Sequence, residues 1–150
     1  MQFNTREDIA LPSETVFAAL SDFGAFERSA ARHGAEVLQS GGTATGQGWR
    51  VRFPFRGKPR VLEAEILRHE PPRALVSLGR VGGLEGTLAL ELVSLAPGRT
   101  RLLAGLQVVP TTLRARVVLQ SARLAKPALN RRFKAGFGRL IREIEARNRP

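Results

Sequence analysis

The sequence contains no cysteine and no tyrosine, and it has only two histidines, His33 and His69. Without cysteine, the chain can form no disulfide bond, no thiolate nucleophile and no cysteine-ligated zinc or iron–sulfur centre. The two histidines have no third ligand of that kind, and neither belongs to a recognisable triad. We therefore expect no metal, no cofactor and no catalytic residue.

Long hydrophobic runs are also missing. No apolar stretch approaches the roughly 20 residues that span a bilayer, and Met1–Asp8 lacks the basic start and apolar run of a signal peptide. A cytoplasmic location is therefore the default expectation. With 150 residues, of which 43% are hydrophobic and 25% charged, the chain has the size and composition of one folded domain, residues 1–150.

Lysine is scarce and arginine is abundant. Lysine and arginine together number 24, against 13 acidic residues, for a net charge of +11. Residues 114–150 hold 11 basic residues and only two acidic ones, so the positive charge belongs to the C-terminal segment. Arg131, Lys134 and Arg142 share one face of the helix predicted there and form a candidate anion-binding patch. The alternative interpretation is an ordinary solvated helix face.

Two short helices are predicted after a first strand over residues 2–9. Ser13 and Asp22 are the expected N-caps of these helices, and Gly34 is the expected stop of the second. A glycine-rich loop follows a short strand that ends near Gln39. Its glycines are Gly41, Gly42, Gly46 and Gly48.

The clearest β pattern in the sequence lies on either side of Gly57. Apolar residues alternate with arginines over Trp49–Phe55, and a two-residue turn at Gly57–Lys58 returns the chain through residues 61–70. This register places Phe53 opposite Leu62 on an apolar face. On the other face it places Arg52 opposite Glu63, and Arg50 opposite Glu65.

Two more turns are predicted in the second half of the sheet. Gly82–Gly83 pairs Arg80 with Glu85 and Ser77 with Leu88. For the next turn, at Pro97–Gly98, we expect a bulged loop with Gly98 in the left-handed region. Such a loop places Leu102 opposite Leu92 and buries both.

One long C-terminal helix is predicted after Pro110, capped by Thr111 or Thr112 and kinked or divided by Pro127. Its apolar residues recur every three or four positions, which is typical of a helix with one buried face. These residues are Val118, Ala122, Ala125, Leu129, Phe133, Phe137, Leu140 and Ile144.

The order of elements (β-α-α-β-β-β-β-β-β-α) predicts an α+β protein with a curved, seven-stranded antiparallel sheet around the last helix. This order resembles that of the START-type helix-grip superfamily, SRPBCC, which includes polyketide cyclase/dehydrase-like and lipid-transport proteins. The resemblance rests on the opening strand, the segment SETVFAALSDFGAFERSA from Ser13, the strand Trp49–Phe55 and the helix RRFKAGFGRLIREIE from Arg131. It implies a hydrophobic ligand held between sheet and helix. It implies no particular reaction, because the superfamily has no shared catalytic motif.

The residues predicted to face inward agree with such a cavity, since nearly all are apolar. Arg68 is a polar candidate at the cavity rim. Open space in the cavity is favoured by four glycines on or near the same surfaces, Gly79, Gly86, Gly105 and Gly136. The alternative is that these side chains pack on one another and leave no cavity. The predicted ligand-binding residues are Trp49, Val51, Phe53, Phe55, Leu62, Ile66, Ser77, Leu88, Leu90, Phe133, Phe137 and Leu140.

Three functions remain open from the sequence. The first is binding of a hydrophobic small molecule or lipid, as a carrier or sensor. The second is a cyclase/dehydrase-type enzyme acting on a polyketide-like or aromatic substrate. The third is binding to an anionic surface, a membrane or nucleic acid, through the arginine-rich C-terminal helix. Nucleic acid is the less favoured partner, because Phe133 and Phe137 lie on the buried face and no aromatic residues interleave with the arginines.

Overall fold

A computed structural model describes residues 1–41 and 45–148. Gly42, one of the glycines of the predicted loop, lies outside the described residues. The chain forms seven strands, four α-helices and one 3-10 turn within these ranges. They are β1 (Gln2–Ile9), α1 (Ser13–Leu20), α2 (Phe23–Arg32), β2 (Glu36–Gln39), β3 (Gly48–Phe55), β4 (Lys58–Glu70), β5 (Ala74–Val81), β6 (Leu84–Ala96), β7 (Arg99–Pro110), α3 (Leu113–Ala122), the 3-10 turn (Arg123–Ala125) and α4 (Lys126–Arg147).

The strands form one antiparallel sheet in the order β1-β7-β6-β5-β4-β3-β2. Each strand from β2 to β6 pairs with the next one along the chain, and β7 pairs with β1. Helix α4 lies along β1, the edge strand. The predicted α+β helix-grip fold, with a curved seven-stranded sheet and a long C-terminal helix, is confirmed.

The hydrophobic core lies on the concave face of the sheet. Alternation along the strands brings Leu75, Leu90 and Ala104 into one cross-strand row, and Leu92 faces Leu102 in the next. Helices α1 and α4 cover this face, since Val16 of α1 and Ile144 of α4 are almost completely buried. Because the period is two, β6 directs Glu85, Thr87 and Glu91 to the opposite, convex face, whereas β5 places the apolar Leu78 there.

The predicted N-cap is confirmed for α2 and is wrong for α1. Asp22 caps α2, accepting a 3.1 Å hydrogen bond from the Ala25 amide. Ser13 is not a cap, because Pro12 holds that position. The Ser13 hydroxyl is buried and instead lies 3.1 Å from the Thr100 hydroxyl, which joins α1 to β7.

The β3–β4 hairpin has the predicted faces but a different register. The turn is Arg56–Gly57, with φ values of 52° and 73°, rather than Gly57–Lys58. Two left-handed residues match the twist of a hairpin, which explains the preference for this turn. Arg50 therefore lies opposite Glu63 at 3.0 Å, not opposite Glu65. The shift is two residues, so every side chain keeps its face.

A β-bulge at Leu67 changes the face of the residues that follow it in β4. Ile66 pairs with Ser77 and Arg68 with Val76, so Leu67 is left without a partner in β5. The bulge moves Arg68 to the convex face and His69 to the concave face. Simple alternation along β4 would place Arg68 inward, as expected for the cavity rim, and His69 outward, so the bulge reverses both.

Leu102 lies opposite Leu92, as predicted for the β6–β7 hairpin. The extra residue is Leu95 in β6, where the register shifts between Ser94 and Ala96. Gly98 is not among the residues with positive φ, so the predicted left-handed Gly98 is wrong. A bulge within the strand achieves the same burial as a bulged loop.

The C-terminal helical region is divided at Pro127, as predicted. A 3-10 turn separates α3 from α4, and the proline occupies the first turn of α4, where its missing N–H is not needed. Thr112 caps α3 through a 3.1 Å hydrogen bond from the Ala115 amide. The predicted apolar stripe is buried only in α4, because Val118 and Ala125 are exposed.

Candidate functional site

The space between the concave face of the sheet and α4, which we call the helix–sheet groove, is the candidate site. The Phe133 ring lies 6.0 Å from the Phe3 ring of β1 and 5.1 Å from the Phe137 ring. Both α4 rings pack against the hydrophobic core yet remain half-buried. The helix follows the edge strand β1, and its two rings pack against the same core cluster as Leu62 and Leu88 of the sheet.

The opposite wall of the groove is incompletely buried and largely apolar, apart from Ser77 and from Arg60, which lies opposite Phe53 and whose Nε is buried without a hydrogen-bond partner in the described part of the chain. Its side chains come from β3 to β6 and share the concave phase of the sheet. Solvent reaches part of each of them, whereas the core residues beneath α1 and the end of α4 are closed. The half-buried wall residues are Phe53, Leu62, Ala64, Ser77 and Leu88.

Two of the four glycines predicted to favour open space line the concave face, and two do not. Gly79 and Gly86 are cross-strand partners on this face, where a Cβ would lie 3.3 Å from Leu62 Cδ1 at Gly79 and 3.5 Å from Leu106 Cδ1 at Gly86. Gly105 lies on the convex face, where a Cβ would lie 3.2 Å from Asn4 Oδ1. A Cβ on Gly136 would meet only the Arg139 guanidinium, at 4.0 Å, so small size there is not required by packing.

An aromatic cluster on α2 closes the end of the groove at the start of β3. The Trp49 ring lies 5.2 Å from Phe23 and 5.8 Å from Phe26. The Trp49 Nε1–H donates a 2.8 Å hydrogen bond to Glu27 Oε1, and the Gln39 side-chain amide donates to the same oxygen at 2.9 Å. The hydrogen bond from Gln39 and then that from Trp49 hold the pKa of Glu27 below its usual range.

The sequence reasoning did not single out Glu27. The signal was its spacing, because Glu27 follows Phe23 by four residues and therefore shares its helix face. A carboxylate on the apolar face of a short amphipathic helix indicates a specific hydrogen-bond partner. Without a tertiary position for Trp49, the partner could not be identified.

The bulge in β4 brings His69 to the concave face and removes Arg68 from it. The His69 ring lies 5.4 Å from Phe17 and 6.2 Å from Phe23, at the α1–α2 end of the concave face. Arg68 is not at the groove rim. It lies on the convex face, where its Nε donates a 2.7 Å hydrogen bond to Glu70 and lowers the pKa of that carboxyl.

The predicted ligand-binding residues separate into three groups. Trp49, Val51, Ile66 and Leu90 are buried members of the core. Phe55 is 54% exposed at the hairpin tip, beneath the Arg56 guanidinium, and Leu140 is half-buried on α4. The structure brings the remaining six to the two walls of the groove, namely Phe53, Leu62, Ser77, Leu88, Phe133 and Phe137.

The convex face carries polar surface features. Two open concavities, of about 450 and 490 Å³, lie there beside the Arg50–Glu63 and Arg68–Glu70 ion pairs. Arg131, Lys134 and Arg142 are all exposed, as predicted for a solvent-facing side of the last helix.

Residues 1–41 and 45–148 contain no group of three acidic or histidine side chains placed to hold a metal ion. In the same described part of the chain, no helix has the length and apolarity to cross a bilayer.

Comparison with known protein families identifies the family of this chain. The model of the family "Polyketide cyclase / dehydrase and lipid transport" matches residues 1–145. The chain belongs to this family. Membership of this family supports hydrophobic-ligand binding or a cyclase activity as the general function and does not choose between them. A search of curated proteins found no significant relative.

Several solved structures share the fold at low sequence identity. The Zhui aromatase/cyclase from Streptomyces sp. R1128 superposes with a TM-score of 0.66 at 16% identity, covering 99% of this chain and 96% of its own. A START superfamily protein from Mycobacterium smegmatis gives 0.54 at 17% identity, covering 87% and 95%. A protein from Thermus thermophilus gives 0.66 at 16% identity, covering 99% and 100%.

Proposed function

We propose that the protein binds a hydrophobic small molecule or lipid in the helix–sheet groove, as a carrier or sensor. The observation that carries this proposal is a set of half-buried apolar side chains around one core cluster. They are Phe133 and Phe137 on α4 and Phe53, Leu62 and Leu88 on the sheet. Apolar side chains that remain partly accessible on two facing surfaces provide a site for an apolar ligand, because burying them against it removes more apolar area from water.

Ligand orientation in such a site depends on the few polar groups that face it. The Trp49 indole N–H was one candidate, but Glu27 already accepts its hydrogen bond. Ser77 lies between Ile66 and Leu88 on the wall and is half-buried, so its hydroxyl is the group we propose for orienting a ligand.

A cyclase/dehydrase-type reaction is the second candidate, and the family description favours it. Glu27 and His69 are titratable groups at the α2 end of the groove. A general acid needs a raised pKa, whereas the hydrogen bonds from Gln39 and Trp49 lower that of Glu27. This direction favours a structural role for the Glu27 carboxylate over general-acid catalysis by it.

The test measures binding of an apolar fluorescent probe, together with native mass spectrometry of the purified protein to detect a copurified lipid. Ala64→Phe places a ring in the groove wall, and we expect the affinity for the probe to fall by about tenfold or more. The matched control is Ala89→Phe, which adds the same ring to the convex face, beside Val76 and Gly105.

The expected result is probe binding by the wild type that is lost in Ala64→Phe and retained in Ala89→Phe. No probe binding by the wild type would overturn the proposal, as would equal loss in both variants. Circular dichroism and thermal unfolding confirm that each variant is folded before its affinity is compared.

A further inference from the structure

Helix α3 exposes an unusual amount of apolar side-chain surface. Leu113, Val117 and Leu124 are 79%, 61% and 91% exposed. Their spacing of four and seven residues places them along one side of α3 and the following 3-10 turn, which we call the α3 ridge. A core-facing helix buries such residues, and here the buried residue is Ala115 instead.

The fold fixes the ridge on the outside of the molecule. The Thr111 amide and hydroxyl both donate to the Gly83 carbonyl, at 2.7 and 2.8 Å, so the start of α3 is tied to the β5–β6 turn. Ala115 packs into the same contact, because a Cβ on Gly83 would lie 3.3 Å from the Ala115 Cβ. With Ala115 facing the sheet, the ridge at the opposite side of the helix faces away from it.

Positive charges lie on both sides of the ridge. At 100° per residue, Arg114 falls on one side of the line through Leu113 and Val117, and Arg116 falls on the other. Arg123 follows beside Leu124, and none of these three arginines forms an ion pair within the described part of the chain. This arrangement is typical of a helix that lies in the headgroup layer of an anionic membrane. The apolar side chains of such a helix enter the bilayer, and its arginine side chains extend to lipid phosphates on either side.

The charge of the surrounding chain matches the same partner. No acidic residue occurs between Glu91 and Glu143, whereas Arg131, Lys134 and Arg142 on the exposed side of α4 add to the positive field. A surface of one sign with an apolar centre complements an anionic lipid surface more closely than a protein surface of mixed charge.

The ridge also lies at the open end of the helix–sheet groove. The β5–β6 turn that anchors α3 is at the end of the sheet toward which the β3–β4 hairpin points, and α2 covers the other end at Trp49. Phe133, near the start of α4, approaches Phe3 near the start of β1 at this same end. We propose that the α3 ridge docks the protein onto an anionic lipid bilayer. Docking through this ridge requires no ligand in the groove.

Vesicle binding tests the proposal directly. We expect wild-type protein to cosediment with vesicles of phosphatidylcholine and phosphatidylglycerol but not with phosphatidylcholine alone, and to be released by salt. Val117→Gln/Leu124→Gln is expected to weaken binding by about tenfold or more. Arg114→Gln/Arg116→Gln/Arg123→Gln removes three charges and is expected to weaken it by about a hundredfold.

Two matched controls separate docking from general adsorption. Arg28→Gln/Arg32→Gln/Arg52→Gln removes the same charge from exposed positions on α2 and β3, and we expect little loss. Because the chain has no cysteine, a single environment-sensitive dye can be attached at Leu124→Cys or at Leu38→Cys, which replaces a leucine 49% exposed on β2. Only the dye at position 124 is expected to shift its emission to the blue on vesicles.

Four results would overturn the proposal. They are no binding to anionic vesicles, equal loss in the two triple variants, unchanged binding in Val117→Gln/Leu124→Gln, and equal dye shifts at positions 124 and 38. Concentration-dependent dimerisation or binding to duplex DNA that the ridge variants abolish, without vesicle binding, would assign the ridge to another partner. Thermal unfolding of each variant shows that the exposed substitutions leave the fold intact.

Discussion

The Trp49 Nε1–H donates its hydrogen bond to Glu27 Oε1 at 2.8 Å, and this contact joins α2 to the sheet. The same carboxylate oxygen accepts from Gln39 on β2, so one side chain holds the helix to two neighbouring strands. Trp49 is 4% exposed and is the only tryptophan of the chain. Its fluorescence therefore reports on how α2 closes this end of the groove.

Replacing Glu27 should loosen α2. In Glu27→Ala the buried indole N–H loses its acceptor, and we expect lower thermal stability and a red shift of Trp49 emission as water reaches the ring. The control is Glu36→Ala, which removes an exposed carboxylate from β2 without a partner at Trp49. An emission spectrum of Glu27→Ala identical to that of the control would contradict the role of Glu27.

The stabilising effect of Glu27 should depend on pH. Its folded pKa is lowered from an ordinary value of 4.5, chiefly by the hydrogen bond from Gln39 and then by that from Trp49. A lowered carboxyl pKa contributes stability that is fully present above the unfolded value and is lost as pH falls through the folded value. We expect the stability difference between wild type and Glu27→Gln to be constant from pH 7 to about 5 and to shrink below about 4.5. Denaturant unfolding across this range measures it, and a difference that persists unchanged to about pH 3 would refute the assignment.

Strand faces could be predicted from the sequence because a period of two places alternating residues on opposite sides. The pairing of Arg80 with Glu85 followed from Gly82–Gly83, whose φ values of 54° and 78° fit a tight turn. The exact turn of the β3–β4 hairpin could not be predicted, because Arg56 has a φ of 52° and a non-glycine residue seldom adopts that conformation. The error was two residues, which left the faces unchanged.

The bulge at Leu67 had no signal in the sequence, since the segment contains no glycine. It alone exchanged the faces of Arg68 and His69 and so changed the polar groups expected at the groove. The faces of the apolar wall residues could be predicted despite the bulge, because they depend on periodicity within each element. The contact between Glu27 and Trp49 depends on how α2 sits on β3, and local patterns do not determine that position.

The hairpin register can be measured with a double-mutant cycle. Arg50 and Glu63 lie 3.0 Å apart with both side chains 54% exposed, so we expect a coupling free energy of about 0.2–1 kcal/mol between Arg50→Ala and Glu63→Ala. A parallel cycle between Arg50→Ala and Glu65→Ala should give a coupling near zero. The alternative register, with Arg50 opposite Glu65, requires the reverse result, and high salt should reduce whichever coupling is found.

Phe137 and Ile144 lie on the same side of α4. Truncating each of them to alanine should lower the free energy of unfolding by different amounts. Ile144 is 1% exposed in the closed core, so Ile144→Ala should lower the free energy of unfolding by about 2–5 kcal/mol. Phe137 is half-buried against the groove, so Phe137→Ala enlarges an existing space and should cost less than the roughly 3–5 kcal/mol of a closed site. Denaturant midpoints give both values, and the binding of an apolar fluorescent probe gives a second readout. We expect Phe137→Ala to change probe affinity while Ile144→Ala, measured where it is fully folded, leaves it nearly unchanged. If Phe137→Ala lowers the free energy of unfolding by the full amount expected for a closed site and leaves probe affinity unchanged, Phe137 belongs to a close-packed core.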